Sequence, residues 1–448
     1  MLSSRLPKDL SPSPFFAELE RAKADVLAEC AGANTLPFID MTVSSPVKAG
    51  LPIDLNAAVD EGRESFGCWN PDAAGWKSAR EAVVEYYRER GGNFDAGQII
   101  LTASTSEAYS VLFKAFCDPG DVILTPMPGY PLLDTLAQLE HLECSPYFLK
   151  LKRETSSLSN RETTSTLSLR DRRSKQSKES SFRFVLDSDS LLAAPERAKI
   201  LLLVSPHNPT GHCISREEWN EAVRFCEENH LILVVDEVFG DYAFSDKVSR
   251  TWQYVFNKNV IARNEATKQS RNDNSARENS CDNGPKCPIF WLNGLSKTVG
   301  SPQLKLGWMA FYAPRDQFEP IRAALEFVED AYLSVSAPAQ ALGTALLSKA
   351  SAVYEARVKE RLLANWQTLR EAFPAKYCPE VLGGWYAVVR LGEDDEELTL
   401  RLLREKHVLV QPGFFFDFHE DGWVVVSLLA PPEQFKEAVS RMQVLDRP

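Results

Sequence analysis

Three residues with chemically capable side chains follow apolar runs that predict buried strands. Asp236 follows Leu231–Val235, Asn208 lies between two prolines after a second run, and Lys297 comes shortly after a third. The carboxyl edge of an open α/β sheet is where ligands bind, and the flanking prolines hold Asn208 outside regular structure. The carboxylate and the amine therefore form either a structural salt bridge or the charged pair of a ligand site.

A hydroxyl-rich turn also follows a predicted strand, in Thr102-Ala-Ser-Thr-Ser-Glu-Ala-Tyr109. The start of the next helix directs free N–H groups and the positive end of the helix dipole towards the turn. Ser104, Thr105 and Ser106 thus form a candidate anion site. The same residues also suit an ordinary helix N-cap.

Apolar runs alternate with amphipathic stretches up to Pro314, and this alternation predicts a doubly wound, mainly parallel sheet. The runs predicted as strands are Ile99–Thr102, Val122–Thr125, Ile200–Val204, Leu231–Val235, Ile289–Leu292 and Met309–Tyr312. The stretches predicted as helices between them are Ser106–Phe116, Tyr130–Leu139 and Arg216–Asn229. Beyond Pro314, long helical stretches are followed by short strands, which indicates a smaller α+β domain.

Two polar segments, 151–184 and 262–286, interrupt this pattern with many Ser, Thr, Asn, Arg and Lys residues. Neither holds enough apolar surface to offset its chain entropy, so both are predicted to be disordered surface insertions. The first is locally basic, but it lacks the interleaved aromatic residues typical of a nucleic-acid-binding arm.

Composition excludes several classes of function. The 448 residues carry a net charge of −12, which disfavours nucleic acid as a partner. The nine cysteines are scattered without a CxxC pair, so no metal site is predicted and a cytoplasmic location is expected. No apolar run approaches the length of a signal sequence or a membrane span, so no membrane association is expected.

Taken together, these motifs resemble one family. Asn208-Pro-Thr-Gly211, Asp236-Glu-Val238 and Ser296-Lys297 occur in the order found in class I/II aminotransferases, the fold-type I pyridoxal-phosphate enzymes of the aspartate aminotransferase superfamily. The resemblance spans about residues 35–445 outside the two polar segments. It implies pyridoxal 5'-phosphate as cofactor and an α/β fold whose large domain has a mainly parallel, seven-stranded sheet with helices on both faces.

The implied domains are an N-terminal arm at 1–50 that joins the small domain, a large cofactor-binding domain at 51–315 and a small domain at 316–448.

The resemblance also implies the roles of the motif residues. Lys297 forms the Schiff base and moves the substrate proton, and Asp236 pairs with the pyridine nitrogen. Asn208 donates to the phenolic oxygen, and Tyr130 of Pro128-Gly-Tyr-Pro131 stacks on the ring. The hydroxyl turn at 104–106 holds the phosphate.

Several positions depart from the family pattern. Lys305 replaces a phosphate-binding arginine, so charge is kept while the bidentate geometry is lost. Gly294 replaces a hydroxyl residue that contacts the phosphate, and Phe239 replaces a tyrosine that bonds the phenolic oxygen. Trp69 stands where a tyrosine from the neighbouring subunit reaches the phosphate, and its indole N–H can still donate.

The largest departure lies in the strand that supplies the α-carboxylate clamp. Family members read Arg-x-Ser there, whereas this chain has Val425 at the arginine position. Arg390 and Arg250 are the candidates to replace the missing cation, although both are more commonly surface charges.

The resemblance predicts an aminotransferase that exchanges an amino group between an amino acid and a 2-oxo acid, in a homodimer with shared active sites. Two alternatives stay open on the sequence. A carbon–sulfur β-lyase of the same fold begins with the same proton removal, and the missing arginine allows a catalytically weak sensor that only binds the cofactor.

Overall fold

A computed structural model describes residues 3–7, 9–11, 13–31, 36–154, 181–256, 284–347, 349–392 and 394–444. Its helices are α1 (Pro14–Cys30), α2 (Asn56–Gly62), α3 (Lys77–Glu89), α4 (Thr105–Phe116), α5 (Leu132–Leu139), α6 (Ser188–Leu191), α7 (Arg216–Asn229), α8 (Gln253–Phe256), α9 (Leu295–Thr298), α10 (Arg315–Asp330), α11 (Ala337–Leu346), α12 (Lys349–Ala372), α13 (Asp395–Lys406) and α14 (Pro432–Gln443). Its strands are β1 (Ile39–Asp40), β2 (Ile99–Thr102), β3 (Val122–Met127), β4 (Glu143–Glu154), β5 (Ser181–Leu186), β6 (Ala198–Val204), β7 (Ile232–Asp236), β8 (Ile289–Gly294), β9 (Gly307–Tyr312), β10 (Tyr386–Arg390), β11 (Val408–Leu409), β12 (Gln411–Pro412) and β13 (Trp423–Ser427).

The central sheet has the strand order β2-β9-β8-β7-β6-β3-β4-β5. The five strands from β8 to β4 run parallel to one another. Strand β9 is antiparallel to both β8 and β2, and β5 is antiparallel to β4. Along β6, Leu201 and Leu203 pack into the core on one face, and Ile200 and Leu202 pack into the core on the other. Because both faces are buried, the strand is apolar throughout, which explains the unbroken runs in the sequence.

Helices cover both faces of this sheet. Helices α4, α5 and α10 supply apolar residues to one core, and helices α3, α7, α11 and α12 supply residues to the other. Helix α7 begins with a capping box, in which Ser215 Oγ accepts from the Glu218 N–H and the Glu218 side chain accepts from the Ser215 N–H. These local signals agree with the predicted helix boundaries.

The C-terminal part of the chain forms a separate three-stranded antiparallel sheet, in the order β10-β13-β12. Strand β1 pairs with β11 in parallel, which attaches the N-terminal segment to this part of the molecule. The large sheet takes its strands from residues 99–312 and the small sheet from residues 386–427. This arrangement supports the division near residue 315 and the assignment of the N-terminal arm to the small domain, both of which we keep as a proposal.

The central sheet has eight strands rather than seven, because β4 and β5 form an antiparallel hairpin at one edge. The prediction of an insertion over the whole of 151–184 is wrong at its ends, since residues 151–154 and 181–184 are paired across this hairpin. Edge strands tolerate polar side chains, so their sequences resemble those of loops. Residues 155–180 and 257–283, which hold most of both predicted insertions, lie outside the described residues.

A buried ionic cluster stabilises the end of β7. Asp241 Oδ1 accepts from Arg250 Nη2 at 2.5 Å, from Tyr86 Oη at 2.8 Å and from Arg90 Nε at 3.2 Å. Burial alone would raise the pKa of Asp241, but the guanidinium groups of Arg250 and Arg90 hold it below its ordinary value. Both arginines are largely buried as well, and each has a second carboxylate partner, Glu355 for Arg90 and Glu237 for Arg250.

We expect Asp241→Asn to destabilise the protein by about 1–3 kcal/mol, because it removes the charged acceptor that two buried guanidinium groups share and leaves them Glu355 and Glu237 as carboxylate partners. The shift of the urea-unfolding midpoint measures this loss. The control is Asp60→Asn, which removes an exposed pair with Arg63 and should leave the midpoint unchanged. A similar midpoint for both variants would contradict a structural role for the cluster.

Candidate active site

Three of the predicted site residues lie at the carboxyl edge of the large sheet. Asp236 is the last residue of β7, Asn208 follows β6, and Lys297 lies in the short helix α9 directly after β8. Because β6, β7 and β8 are neighbours in the sheet, their ends open onto the same side. The sequence prediction that the sheet brings these three elements together is confirmed by the strand order.

Lys297 is largely buried at this edge and surrounded by aromatic rings. Its Nζ lies 4.8 Å from the ring centroid of Trp385 and 5.5 Å from that of Phe239. The Tyr242 hydroxyl donates to the Lys297 carbonyl oxygen at 2.6 Å, which fixes the turn that presents the side chain. Burial lowers the pKa of Lys297 to about 8, although the Asp236 carboxylate acts in the opposite direction. Lys297 is therefore a poorly solvated amine of reduced basicity.

Asp236 is fixed through both carboxylate oxygens. The Tyr109 hydroxyl donates to Oδ2 at 2.6 Å, and the Val238 N–H donates to Oδ1 at 3.0 Å. Burial raises the pKa of Asp236, while these two hydrogen bonds and the Lys297 ammonium oppose that rise. Sequence reasoning did not assign a role to Tyr109. Its position one helical turn after Thr105, on the same face of α4, was the available signal.

We expect Tyr109→Phe to lower kcat/KM about tenfold or more, because it removes a hydrogen bond that holds the Asp236 carboxylate in position. The pH at which the visible cofactor band titrates should also shift, since Asp236 loses a donor. The matched control is Tyr147→Phe, which removes a buried hydroxyl that donates to the Leu202 carbonyl oxygen rather than to Asp236. Equal effects of both variants would indicate that Tyr109 contributes only to packing and would contradict a role in holding Asp236.

Asn208 occupies a turn that is tied to the C-terminal part of the chain. The N–H of Leu382 donates to the Gly211 carbonyl oxygen at 2.9 Å, at the end of the same turn. Asn208 Oδ1 is buried and accepts no hydrogen bond from the described residues. A buried amide oxygen without a donor can accept from a ligand, whereas the predicted donation to a phenolic oxygen would use the amide nitrogen Nδ2.

The hydroxyl turn caps helix α4. Ser104 Oγ accepts from the Glu107 N–H at 3.1 Å, so the N-cap reading holds for this residue. The N–H groups of Thr105 and Ser106 belong to the first turn and have no partner within the helix. Gly307 at the start of β9 lies so close that a Cβ there would come within 3.1 Å of the Ser104 carbonyl carbon. This close approach places the backbone of Gly307, two residues after Lys305, beside the turn.

The remaining predicted residues differ in exposure. Tyr130 is about half exposed, and its pKa is raised by partial burial and by Asp236. Phe239 is buried against Trp385 and Tyr386, with centroids 5.3 and 5.9 Å apart. The Lys305 side chain is exposed, on a residue with φ of +53°.

Trp69 lies on an outer loop with 81% of its surface exposed. It lines a cavity together with Glu329 and Leu333, and burial beside Glu107 raises the pKa of Glu329 to about 8. Glu107 in turn accepts from the Ala103 N–H at the hydroxyl turn, so the cavity adjoins the candidate anion site. Within one protomer, the structure groups Trp69 with this turn rather than with Lys297.

Comparison with known proteins identifies the family. Residues 70–442 match the family described as aminotransferase class I and II. The chain belongs to the class I and II aminotransferases. A glutamate–pyruvate aminotransferase of Haemophilus influenzae is 22% identical over 388 residues, which cover 83% of this chain and 81% of that protein. An alanine aminotransferase of Mycobacterium tuberculosis is 26% identical over 360 residues, which cover 78% and 71% respectively.

Solved structures show the same fold. An aminotransferase from Escherichia coli matches with a TM-score of 0.72 at 19% identity, covering 99% of this chain and 97% of that chain. An alanine aminotransferase from Pyrococcus furiosus matches with a TM-score of 0.69 at 22% identity, covering 97% and 98%. The predicted fold type is confirmed. No helix among the described residues is long and apolar enough to cross a membrane.

The cofactor of class I and II aminotransferases is pyridoxal phosphate, and the site has the donor set that this group requires. Lys297 offers a buried amine of lowered pKa, Asp236 a fixed carboxylate, and Asn208 an amide with an unused buried atom. The first turn of α4 offers N–H groups to a phosphate. Three side chains and one helix terminus therefore fit the aldehyde, the ring and the phosphate of one molecule.

The structure places Val425 in the interior of the small sheet, paired with Val388 on β10 and Gln411 on β12. Neither arginine considered as a replacement is free. Arg390 forms an ion pair with Glu420, and Arg250 belongs to the buried cluster with Asp241. The expectation that one of them replaces the clamp finds no support in this arrangement.

Proposed function

We propose that the chain transfers an amino group between an amino acid and a 2-oxo acid, with Lys297 as the catalytic amine, within the activity class EC 2.6.1.-. The observation that carries this proposal is the buried Lys297 Nζ, whose pKa is lowered to about 8, at the same sheet edge as the fixed Asp236 carboxylate. Bound pyridoxal phosphate supplies an electron sink for the charge that develops when the substrate loses its α-proton.

The roles we propose for the residues agree with their positions. Lys297 carries the proton between the substrate carbon and the cofactor carbon, because an amine of pKa near 8 both accepts and releases protons near neutrality. Asp236 keeps a proton on the ring nitrogen, and Tyr109 and Val238 hold its oxygens in position. Asn208, Tyr130 and the turn at 104–106 hold the phenolic oxygen, the ring face and the phosphate, as the family resemblance implies.

A homodimer is the form we propose for the active protein. Trp69 and Leu333 line the same cavity and are 81% and 36% exposed, and Phe327 and Tyr332 on the adjoining segment are 82% and 58% exposed. Large apolar side chains in one region suit an interface between subunits. Such an interface would let Trp69 approach a neighbouring site, as its resemblance to the cross-subunit tyrosine implies. The cytoplasmic location stays a prediction.

Product analysis tests the proposed reaction. The protein with pyridoxal phosphate is incubated with a panel of amino acids and 2-oxo acids, and both products are quantified by chromatography. We expect one new amino acid for each amino acid consumed, and no turnover without the 2-oxo acid. Continuous release of ammonia from a cysteine-type substrate without any 2-oxo acid would instead identify a β-lyase. Cofactor binding without either reaction would identify the sensor.

Cofactor capture by the apoprotein should depend on pH through Lys297. Only the neutral amine attacks an aldehyde, and the lowered pKa of Lys297 sets its half-neutral point at about 8. Below that pH the capture rate should rise with increasing pH, and above it the rate should level off, as stopped-flow absorbance can record. A rate that still rises steeply beyond pH 9 would contradict a desolvated amine.

A further inference from the structure

The reacting nitrogen of an amino donor must reach the position that Lys297 Nζ occupies, because the donor displaces this amine. Two aromatic rings lie beside that position. The Trp385 and Phe239 ring centroids lie 4.8 and 5.5 Å from Nζ, and Tyr386 packs edge-on against Phe239. These rings are buried, with Lys297 lying against two of them, so a donor whose nitrogen takes the place of Nζ comes to lie beside aromatic groups.

Charge at this position is scarce. Lys297 and Asp236 shift each other's pKa. Burial aside, the Asp236 carboxylate is the described group that shifts the pKa of Lys297, and the Lys297 ammonium is the described ionic group that shifts the pKa of Asp236. No described guanidinium acts on either residue. A donor carboxylate that enters would lose water and meet a like charge, and the cation beside Asp236 is Lys297, whose amine the donor itself displaces.

The small sheet explains why no cation comes from that side. Val425 is paired with Val388, and Ser427 with Tyr386, so these four residues share one face of the two strands. Val425 is fully buried there, and the Ser427 hydroxyl donates to the Val43 carbonyl oxygen at 2.6 Å. The face that leads to Tyr386 thus presents an isopropyl group and a hydroxyl that is already paired.

The basic residue on the same face lies at the far end of the strand. Arg390 is paired with Trp423 across the sheet, and its guanidinium carbon lies 5.9 Å from the centroid of that indole. Its ion pair with Glu420 directs it away from Tyr386, at the opposite end of β10. Repositioning Arg390 as a clamp would break both contacts.

We propose that this enzyme recognises its amino donor through an aromatic or large apolar body that packs on Trp385, Phe239 and Tyr386, and that the donor's α-carboxylate contributes little to recognition. The inference rests on the proposed amino-transfer function. It predicts a substrate class that includes aromatic and large aliphatic amino acids together with the amines that lack their carboxylate, and it disfavours acidic donors.

The test uses the holoenzyme and pairs of donors that differ only in the carboxylate, L-phenylalanine with phenethylamine and L-leucine with isoamylamine. The rate at which each donor removes the visible cofactor band gives kcat/KM for the first half-reaction. We expect the two members of each pair to agree within about tenfold, since no bidentate anchor distinguishes them. L-aspartate should react at least about a hundredfold more slowly than L-phenylalanine, because its two carboxylates have no described partner.

Two variants sharpen the test. Trp385→Leu should lower the rate with phenylalanine and with phenethylamine by the same factor, because both pack on these aromatic rings. Val425→Arg, if it folds, should favour phenylalanine over phenethylamine by about tenfold or more, since it adds a cation on the face that leads to the site. An unfolded Val425→Arg protein leaves the comparison of donor pairs as the deciding result.

Three results would overturn the inference. A preference for phenylalanine over phenethylamine beyond about a hundredfold would show a carboxylate anchor. Faster reaction with aspartate or alanine than with phenylalanine would exclude recognition through the apolar body. If no amino compound changes a cofactor band that depends on Lys297, the proposed amino-transfer function itself fails. Under the first two results, the proposed function stands and only the inference about donor recognition fails.

Discussion

Lys297→Ala is expected to abolish the visible absorption band of the bound cofactor and to lower kcat/KM by about four orders of magnitude or more. The variant removes the amine that holds the aldehyde and the base that moves the substrate proton, and the two losses act on successive steps. The described surroundings of Nζ are the aromatic rings of Trp385 and Phe239 and the Asp236 carboxylate. Among these groups, none can replace an amine.

The matched control for this variant is Lys77→Ala, which removes an exposed amine at the start of α3 that pairs only weakly with Glu81. The control should keep the full band and full activity. Circular dichroism should show that both proteins are folded. A Lys297→Ala protein that retains the visible band would mean that another amine holds the cofactor, and our assignment of the site would then be wrong.

Asp236→Asn is expected to lower kcat/KM by about 10²- to 10³-fold while the protein still binds the cofactor. The amide keeps the size of the side chain but cannot hold a proton on the ring nitrogen, so the ring stabilises less of the developing charge. The effect should therefore fall on kcat more than on the affinity for the cofactor.

An exposed aspartate on the following loop, Asp246, provides the control for Asp236. Asp246→Asn should match the unchanged protein in rate and spectrum. The decisive comparison is single-turnover kinetics with a saturating amino donor. A loss below about tenfold in Asp236→Asn would indicate that the carboxylate serves mainly to neutralise Lys297, which is the salt-bridge alternative raised by the sequence.

The sequence predicted the large sheet well because strands that are buried on both faces consist of unbroken apolar runs. All six predicted strands lie in it, and Leu201 and Ile200 show why, since they pack into different cores on opposite faces. The hairpin of β4 and β5 was missed for the opposite reason. At the edge of the sheet, backbone hydrogen bonds between the paired strands hold β5 in place more than side-chain burial does. Charged residues such as Lys152 and Arg183 are therefore tolerated in this hairpin.

The site was predictable to the extent that its residues are tied to strand ends. Asp236 and Lys297 are placed by neighbouring strands, so the strand order alone brings them together. The contacts of Tyr109 and Trp385 arise from packing between elements that are distant in sequence, which no local pattern reveals. The ion pair between Arg250 and Asp241 likewise depends on packing that no local sequence pattern reveals. Sequence alone could name Arg250 as a candidate but could not show that its charge was already paired.

The measurement that tests the central claim most directly is the absorption spectrum of the protein with pyridoxal phosphate during sequential addition of an amino donor and a 2-oxo acid. Our account predicts that the donor removes the visible band, that the 2-oxo acid restores it, and that Lys297→Ala shows neither change. A visible band that depends on Lys297 but stays unchanged with every donor would contradict amino transfer. A band restored without any 2-oxo acid would point to elimination instead.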